Sequence, residues 1–446
     1  MLRAIVLAAG KGTRMKSARP KVLHELCGRP MLWYVLSALR DAGVGEITVV
    51  TSADLQPHLA QFGIRTVLQE PQLGTGHAVQ IALGDLAHQN GQVMVVCGDM
   101  PLVDSAILQA ILVAGAEAND KGCALALLTA RVPLPSNFGR VVRQRETISR
   151  IVEERDCTDP QRAVNEVNAG VYLYAETALR DALGKLSNNN AQSEYYLTDT
   201  VQMLTDRGER VIGVPAPDYR SVMGINDRVE LAAARRELNS RLCDRYMRDG
   251  VTIIDPATTY LEPELKFGED TIIYPNTTVG RLSETGVRCE IGPNARVSNS
   301  RLGNAVIVKE SVIIDSELGD DVAVGPFAHL RSNTVLGGGV RIGNFVEVKN
   351  SRLAAGVKAG HLSYLGDATI GEKANIGAGT ITCNYDGTKK NETHIGKAAF
   401  IGSNTSLVAP VNVGEGALTG ASSVVTKNVE AGARVAGNPA RPLANK

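Results

Sequence analysis

Between residues 318 and 348 an aliphatic side chain recurs at every sixth position: Leu318, Val324, Leu330, Leu336, Ile342 and Val348. A helix repeats near 3.6 residues and a half-buried strand at 2, so a sixfold period suits neither as a lone element. It suits a β-helix, in which three six-residue sides close one coil and the aliphatic knob of each side points inward. Ile395, Ile401, Leu407 and Val413 form a second phased block. Aliphatic–glycine pairs mark the period more widely, from Val279-Gly280 and Ile291-Gly292 to Ile401-Gly402 and Val413-Gly414. Residues 251–446 are therefore read as a β-helix of hexapeptide repeats. The phase breaks between 377 and 395, where the stretch 384–391 is polar and turn-rich. A loop is expected to leave the solenoid there, on the face that solenoids use for binding; a solvated loop without a role is the alternative.

Residues 1–226 read differently. Ala4-Ile5-Val6-Leu7, Ile47-Thr48-Val49-Val50 and Val93-Met94-Val95-Val96 are nearly continuous apolar runs, as strands buried on both faces require. Helical patterns lie between them, over 31–42 and 76–86. The alternation predicts an open, mostly parallel, Rossmann-like α/β sheet. Residues 227–250 read as one connecting helix. Asp227 and Glu230 have capping-box form, Leu231, Leu238, Leu242 and Tyr246 recur near helical spacing, and Gly250 is a suitable stop.

At 446 residues the chain exceeds one ordinary core. Lys+Arg and Asp+Glu are both 47, so no global basic field exists to hold nucleic acid or an anionic membrane. Anionic ligands must be met by local groups. Seven scattered cysteines without a C-x-x-C pair suggest reduced thiols rather than a disulfide framework or zinc site. The opening apolar run is only six residues, and no stretch of about 18 apolar residues offers a membrane span. A cytoplasmic protein without membrane insertion is expected.

The first strand runs into Leu7-Ala8-Ala9-Gly10-Lys11-Gly12-Thr13-Arg14-Met15, then Pro20-Lys21. Small residues let backbone N–H groups approach phosphates and a base edge, while Arg14 and Lys21 supply charge. Met15 takes the third glycine position of a dinucleotide fingerprint, and no P-loop is present. A second Gly/Thr turn lies in Gln69–His77, before a helix. Cys97-Gly98-Asp99 closes a strand at the carboxyl edge where α/β sheets bind ligands. An acid there could hold Mg²⁺, with phosphates supplying the other oxygens.

In the solenoid, Arg331 and Lys349 follow their inward knobs and stand eighteen residues apart, one full coil. Coils stack about 4.8 Å apart, so the two cations repel unless an anion lies between them. A sugar phosphate would satisfy the pair; two cations splaying into solvent is the alternative. His361, with Tyr364 three residues on, suits a base that takes a proton from an amine before it attacks a thioester.

These motifs resemble the sugar-1-phosphate nucleotidyltransferases. With the hexapeptide region added, essentially the whole chain looks like the bifunctional N-acetylglucosamine-1-phosphate uridylyltransferase / glucosamine-1-phosphate acetyltransferase family. The resemblance implies a left-handed parallel β-helix after the nucleotidyltransferase domain, a homotrimer, and synthesis of UDP-N-acetylglucosamine from acetyl-CoA and UTP with Mg²⁺. By it, Leu7, Ala8, Ala9, Gly10, Gln69, Gly74, Thr75, Cys97 and Gly98 would line the nucleotide site, with Lys21 and Arg14 on the phosphates. Gly139, Glu153 and Asn168 would hold the sugar, and Asp99 and Asn226 the Mg²⁺. In the acetyl site, Arg331, Lys349, Tyr364, Asn375 and Lys390 would hold the sugar phosphate and His361 would accept the proton. Ala378, Asn384, Tyr385, Ser403 and Ala421 match positions around acetyl-CoA. Some relatives offer an arginine to acetyl-CoA where Asn438 aligns; Arg441 is the substitute. Two rival readings stand beside this one. One is a nucleotidyltransferase whose β-helix only regulates or oligomerises. The other is a scaffold that holds nucleotide sugars without turnover.

Overall fold

The computed structural model describes residues 2–119 and 122–443. It divides into two compact units, 1–236 and 237–446. The first is built on one nine-stranded sheet. Its strands are β1 (Leu2–Leu7), β2 (Glu46–Thr51), β3 (Arg65–Leu68), β4 (Gln92–Cys97), β5 (Cys123–Arg131), β6 (Arg140–Gln144), β7 (Thr147–Val152), β8 (Glu166–Ala175) and β9 (Arg210–Pro215). The order is β9-β5-β8-β4-β1-β2-β3, with β6 joining β8 to β7. All central neighbours are parallel except β8, which runs antiparallel to β4 and β5.

Continuous apolar strands make two cores, one on each face of this sheet. Val6 and Val49 pack into one layer with Leu32, Leu36 and Leu39 of helix α1 (Met31–Asp41). Ile5 and Val95 pack into the other with Val79 and Leu83 of helix α2 (Thr75–Gly84). From β1 the chain proceeds to β2 and β3 on one side, then returns to place β4 on the other. This reversal opens a crevice beyond the carboxyl ends of β1 and β4, where open α/β sheets bind ligands.

The helix expected over 227–250 is α3 (Arg228–Arg248), and the division between the units falls within it. Asp227 caps it through Oδ1, which accepts from the backbone N–H groups of Val229 and Glu230, both at 2.8 Å. The expected reciprocal bond is displaced by one residue. The Glu230 carboxylate accepts from the N–H of Asn226, at 2.6 Å, which fixes Asn226 just ahead of the helix. Within the second unit the last turns of α3 cover the first coil: Asn239 donates to the Thr259 carbonyl, and Tyr246 Oη accepts from the Leu265 N–H.

That unit is a left-handed parallel β-helix with three faces. Strands such as Ile272–Ile273, Arg341–Asn344 and Lys358–His361 build the first face; Thr278–Val279, His329–Arg331 and Glu347–Lys349 build the second; Arg301–Leu302 and Thr334–Leu336 build the third. All six knobs from Leu318 to Val348 are buried, as are Ile395, Ile401, Leu407 and Val413. The break in phase falls within a single coil. Ile370 and Ile395 are register partners on neighbouring coils yet stand 25 residues apart (395 − 370), against 18 for Leu330 and Val348. The extra residues form the loop between Ile381–Cys383 and Thr393–Ile395.

Candidate active sites

The crevice of the α/β unit encloses roughly 460 Å³, within the range of small-molecule sites. Its wall includes Leu7 at the end of β1 with Ala8, Ala9 and Gly10 beyond it, Gln69, Gly74 and Thr75 after β3, and Cys97 at the end of β4 with Asp99 beyond it. Side-chain amides tie these loops together. Gln72 donates to the Ala9 carbonyl at 2.6 Å and Gln69 to the Gly74 carbonyl at 2.9 Å. Gly74 is required by its surroundings: φ is +109°, and a Cβ there would lie 2.7 Å from the Tyr195 carbonyl oxygen. That close approach lets Gly76 N–H bond the Tyr195 carbonyl and Thr75 Oγ1 accept from Leu197 N–H.

At the foot of the crevice Lys21 Nζ is ion-paired with the Asp99 carboxylate and donates to Asn226 Oδ1 at 3.0 Å. The ammonium is thus the cation that these two oxygens hold. A carboxylate and an amide oxygen converging on one positive charge suit Mg²⁺, which takes one or two protein oxygens and completes its shell with phosphates and water. Among the described residues no group of three or more His, Cys, Asp or Glu could hold a metal by itself. Arg14 is exposed on its short helical turn, and the cationic residues on the crevice wall are Lys11 and Lys21 instead.

Beyond Cys97 lies a polar recess. Asn168 N–H donates to the Gly139 carbonyl, and the Asn168 amide donates to Tyr172 Oη at 2.6 Å. A Cβ on Gly139 would sit 3.3 Å from Glu153 Oε2. The other carboxylate oxygen, Oε1, accepts from Thr198 Oγ1 at 2.9 Å. Burial raises the Glu153 pKa above the usual carboxylate range, opposed by the Thr198 bond and reinforced by Asp199. Burial also pushes the Cys97 thiol up to about 12, so it lines the passage as a neutral group. The segment 194–198 contributes here without a sequence motif of its own; only its packing on Gly74–Gly76 brings Thr198 to Glu153.

On the solenoid, Arg331 and Lys349 are register partners on adjacent strands. The anion expected between them is in part internal: Arg331 donates from Nε to Glu347 Oε1 at 2.8 Å. Lys390 of the inserted loop faces Lys349 and, with burial and Arg331, lowers the Lys349 pKa, while Asp367 raises it. Tyr364 joins the cluster. Its hydroxyl folds over Gly366, the register partner of Lys349, where a Cβ would come within 2.4 Å.

Not all the predicted residues share this face. Asn375 lies on the first face, paired with Lys358 and Phe400. His361 lies at the corner between the first and second faces, with Nδ1 2.6 Å from Asn344 Oδ1. Counting two residues beyond the partnered knobs Ile342, Ala359, Ile376, Ile401 and Thr419 gives Asn344, His361, Ala378, Ser403 and Ala421, one column along that corner. Asn384 departs from that set: it is buried, and its amide donates to Asp367 and Tyr364. Tyr385 is exposed on the loop, its hydroxyl bonded to the Gly387 carbonyl, and Arg441 is exposed near the C-terminus.

Residues 4–201 match the model of the MobA-like NTP transferase domain. The bifunctional protein GlmU of Heliobacterium modesticaldum is 47% identical over 96% of this chain and 94% of its own length. The chain belongs to the GlmU family. The GlmU proteins of Trichlorobacter lovleyi and Geobacillus sp. strain WCH70 are 46% and 44% identical, each over 96% of this chain and 93% of their own. A bifunctional family name fits two separate clusters of chemistry, one in each unit. No helix among the described residues is long and apolar enough to cross a membrane.

Proposed function

We propose that the chain makes UDP-N-acetylglucosamine in two steps, acetylating glucosamine-1-phosphate on the β-helix and then joining N-acetylglucosamine-1-phosphate to UMP from UTP in the α/β crevice. The crowding of Arg331, Lys349 and Lys390 carries this reading, because a regulatory or oligomerising solenoid has no use for three cations gathered under one tyrosine. A sugar phosphate gives them the dianion they lack, competing with Glu347 for Arg331. His361 accepts the proton of the amino group as nitrogen attacks the thioester carbonyl; the C–S bond breaks and CoA leaves as its thiol. Ala378, Ser403 and Ala421 offer acetyl-CoA a column of small side chains that leads to His361.

In the crevice, backbone groups of Leu7, Ala8, Ala9 and Gly10, with Gln69, Gly74 and Thr75, hold the uridine nucleotide beside Cys97 and Gly98. Gly139, Glu153 and Asn168 hold the sugar. Asp99 and Asn226 would hold Mg²⁺, which when bound would offset the charge of the phosphates. The sugar phosphate oxygen attacks the α-phosphorus, the bond to pyrophosphate breaks and pyrophosphate leaves. Lys21, released from Asp99 and Asn226, turns to those phosphates and aligns them.

A homotrimer belongs to the same reading. Phe327 and Phe345 stack at 5.4 Å on the His361 corner, 55% and 56% exposed, in left-handed backbone that bulky residues rarely adopt. Leu362 continues the ridge at 62% exposure. A neighbouring prism covers this ridge and brings the second face of one chain toward the corner column of another.

One experiment tests the reading. The full chain is incubated with glucosamine-1-phosphate, acetyl-CoA, UTP and Mg²⁺ while free thiol and pyrophosphate are followed separately in a sedimenting sample. Thiol release that precedes and is required for pyrophosphate release, by a trimer, is expected. No thiol release in that mixture, with pyrophosphate released when N-acetylglucosamine-1-phosphate is supplied in place of the amino sugar, would return the β-helix to a regulatory role.

A further inference from the structure

The corner between the second and third faces is turned by residues with left-handed backbone, among them Asn299, Asp315, Asn350 and Asp367. Asn and Asp tolerate that conformation better than other side-chain-bearing residues, and this alone accounts for most of the column. Asp367 departs from its neighbours. Asp315 is exposed and accepts a side-chain bond from Asn299. Asp367 is only 9% exposed, and its carboxylate accepts from two amides at once, Oδ1 from Asn350 and Oδ2 from Asn384. Its backbone joins the same point: its N–H donates to the Lys349 carbonyl, and its own carbonyl accepts from Thr393 N–H. Asn384 and Thr393 flank the inserted loop, and the Asn384 carbonyl closes that loop by accepting from Asn391 N–H at 2.7 Å.

We infer that Asp367 is a positioning residue of the acyl-transfer site, a buried carboxylate that anchors the root of the 384–391 loop beside Lys349 and so sets where Lys390 and Tyr364 meet the sugar phosphate. The inference rests on the function proposed above. Its logic is electrostatic as well as geometric. Lys349 and Lys390 repel, and Asp367 is the buried negative charge beside Lys349 that lets a lysine-bearing loop stay there before any phosphate arrives. The Asn384 amide, held on Asp367 Oδ2, also faces Tyr364 Oη at 3.4 Å, so one carboxylate fixes both the loop and the tyrosine.

The test is Asp367→Asn in the full chain, which keeps a side chain suited to the corner and removes the charge and one acceptor. A lost bond to a charged group is worth roughly tenfold or more. KM for glucosamine-1-phosphate is expected to rise about tenfold with kcat changed less than about threefold, uridylyl transfer unchanged, and trypsin to cut after Lys389 or Lys390 about tenfold faster. Asn384→Ala breaks the same link from the loop side and should reproduce the trypsin result with the carboxylate intact. If Asp367→Asn does not fold, Asn384→Ala decides alone. Unchanged KM together with unchanged trypsin cutting would overturn the inference. Absence of acetyl transfer in the parent protein would instead overturn the proposed function, and the cleavage rate would still report whether Asp367 anchors the loop.

Discussion

The two units assemble their sites by different rules. In the α/β unit, Gly10, Lys21, Gln69, Asp99 and Asn226 come from loops up to about 200 residues apart, gathered where the strand order reverses. In the β-helix, Arg331 and Lys349 are neighbours because they are eighteen residues apart, and the corner from Asn344 to Ala421 is a column of equal offsets. A loop site depends on many long-range contacts. A column site depends on register: neighbouring coils repeat after 16 residues at Val297 and Ile313, 17 at Ile342 and Ala359 and 18 at Leu330 and Val348, and the inserted loop stretches one coil to 25.

The contrast can be broken or sharpened by substitution. Removing one cation from the column should be costly for one substrate only. Lys349→Ala is expected to raise KM for glucosamine-1-phosphate by about ten- to a hundredfold, with KM for acetyl-CoA within about threefold of the parent. Steady-state kinetics with each substrate varied in turn checks this, and equal losses for both would mean that the column holds no phosphate.

A smaller effect is expected at Glu153. Burial raises its folded pKa above its unfolded value, so the stability contribution of its protonated form is present at low pH and declines as pH rises through the folded value. Glu153→Gln removes that decline. Heat inactivation of pyrophosphate release should therefore show the variant gaining on the parent between pH 4 and pH 7, by about a degree or more in midpoint. A pH-independent difference would argue that Glu153 is not buried as a proton-binding group.

How much of this was legible in the sequence follows the same division. The six-residue period gave the β-helix, its knobs and the stacking of Arg331 on Lys349, because register is a matter of counting. The strand ends gave Leu7–Gly10, the Gln69–Thr75 turn and Asp99. Counting could not show that Glu347 already answers Arg331, that Asn375 lies on another face than Lys349, or that Asn384 is turned inward to Asp367. The first and the last depend on which way a side chain leaves the chain; the face of Asn375 depends on the 17-residue coils from Ile342 to Ala359 and Ile376, which a count in sixes does not follow. Thr198 was missed for the other reason: it reaches Glu153 by loop packing alone. Lys11 stands beside Gly10 in the turn after β1 and was passed over for Arg14, although it lines the crevice. Arg14, chosen for its charge within a glycine-rich turn, points to solvent.

The central claim is that the two units carry independent transfer sites, uridylyl transfer in the α/β unit and acetyl transfer on the β-helix. Its most direct measurement mixes two full-length single-site variants, Asp99→Asn and His361→Ala, and follows UDP-N-acetylglucosamine formed from glucosamine-1-phosphate, acetyl-CoA and UTP. Each variant alone should form product at least about a hundredfold more slowly than the parent. The equimolar mixture should recover a large fraction of the parental rate, because the acetylated intermediate made by the Asp99→Asn protein is consumed by the His361→Ala protein. A mixture as inactive as its folded components would contradict the claim.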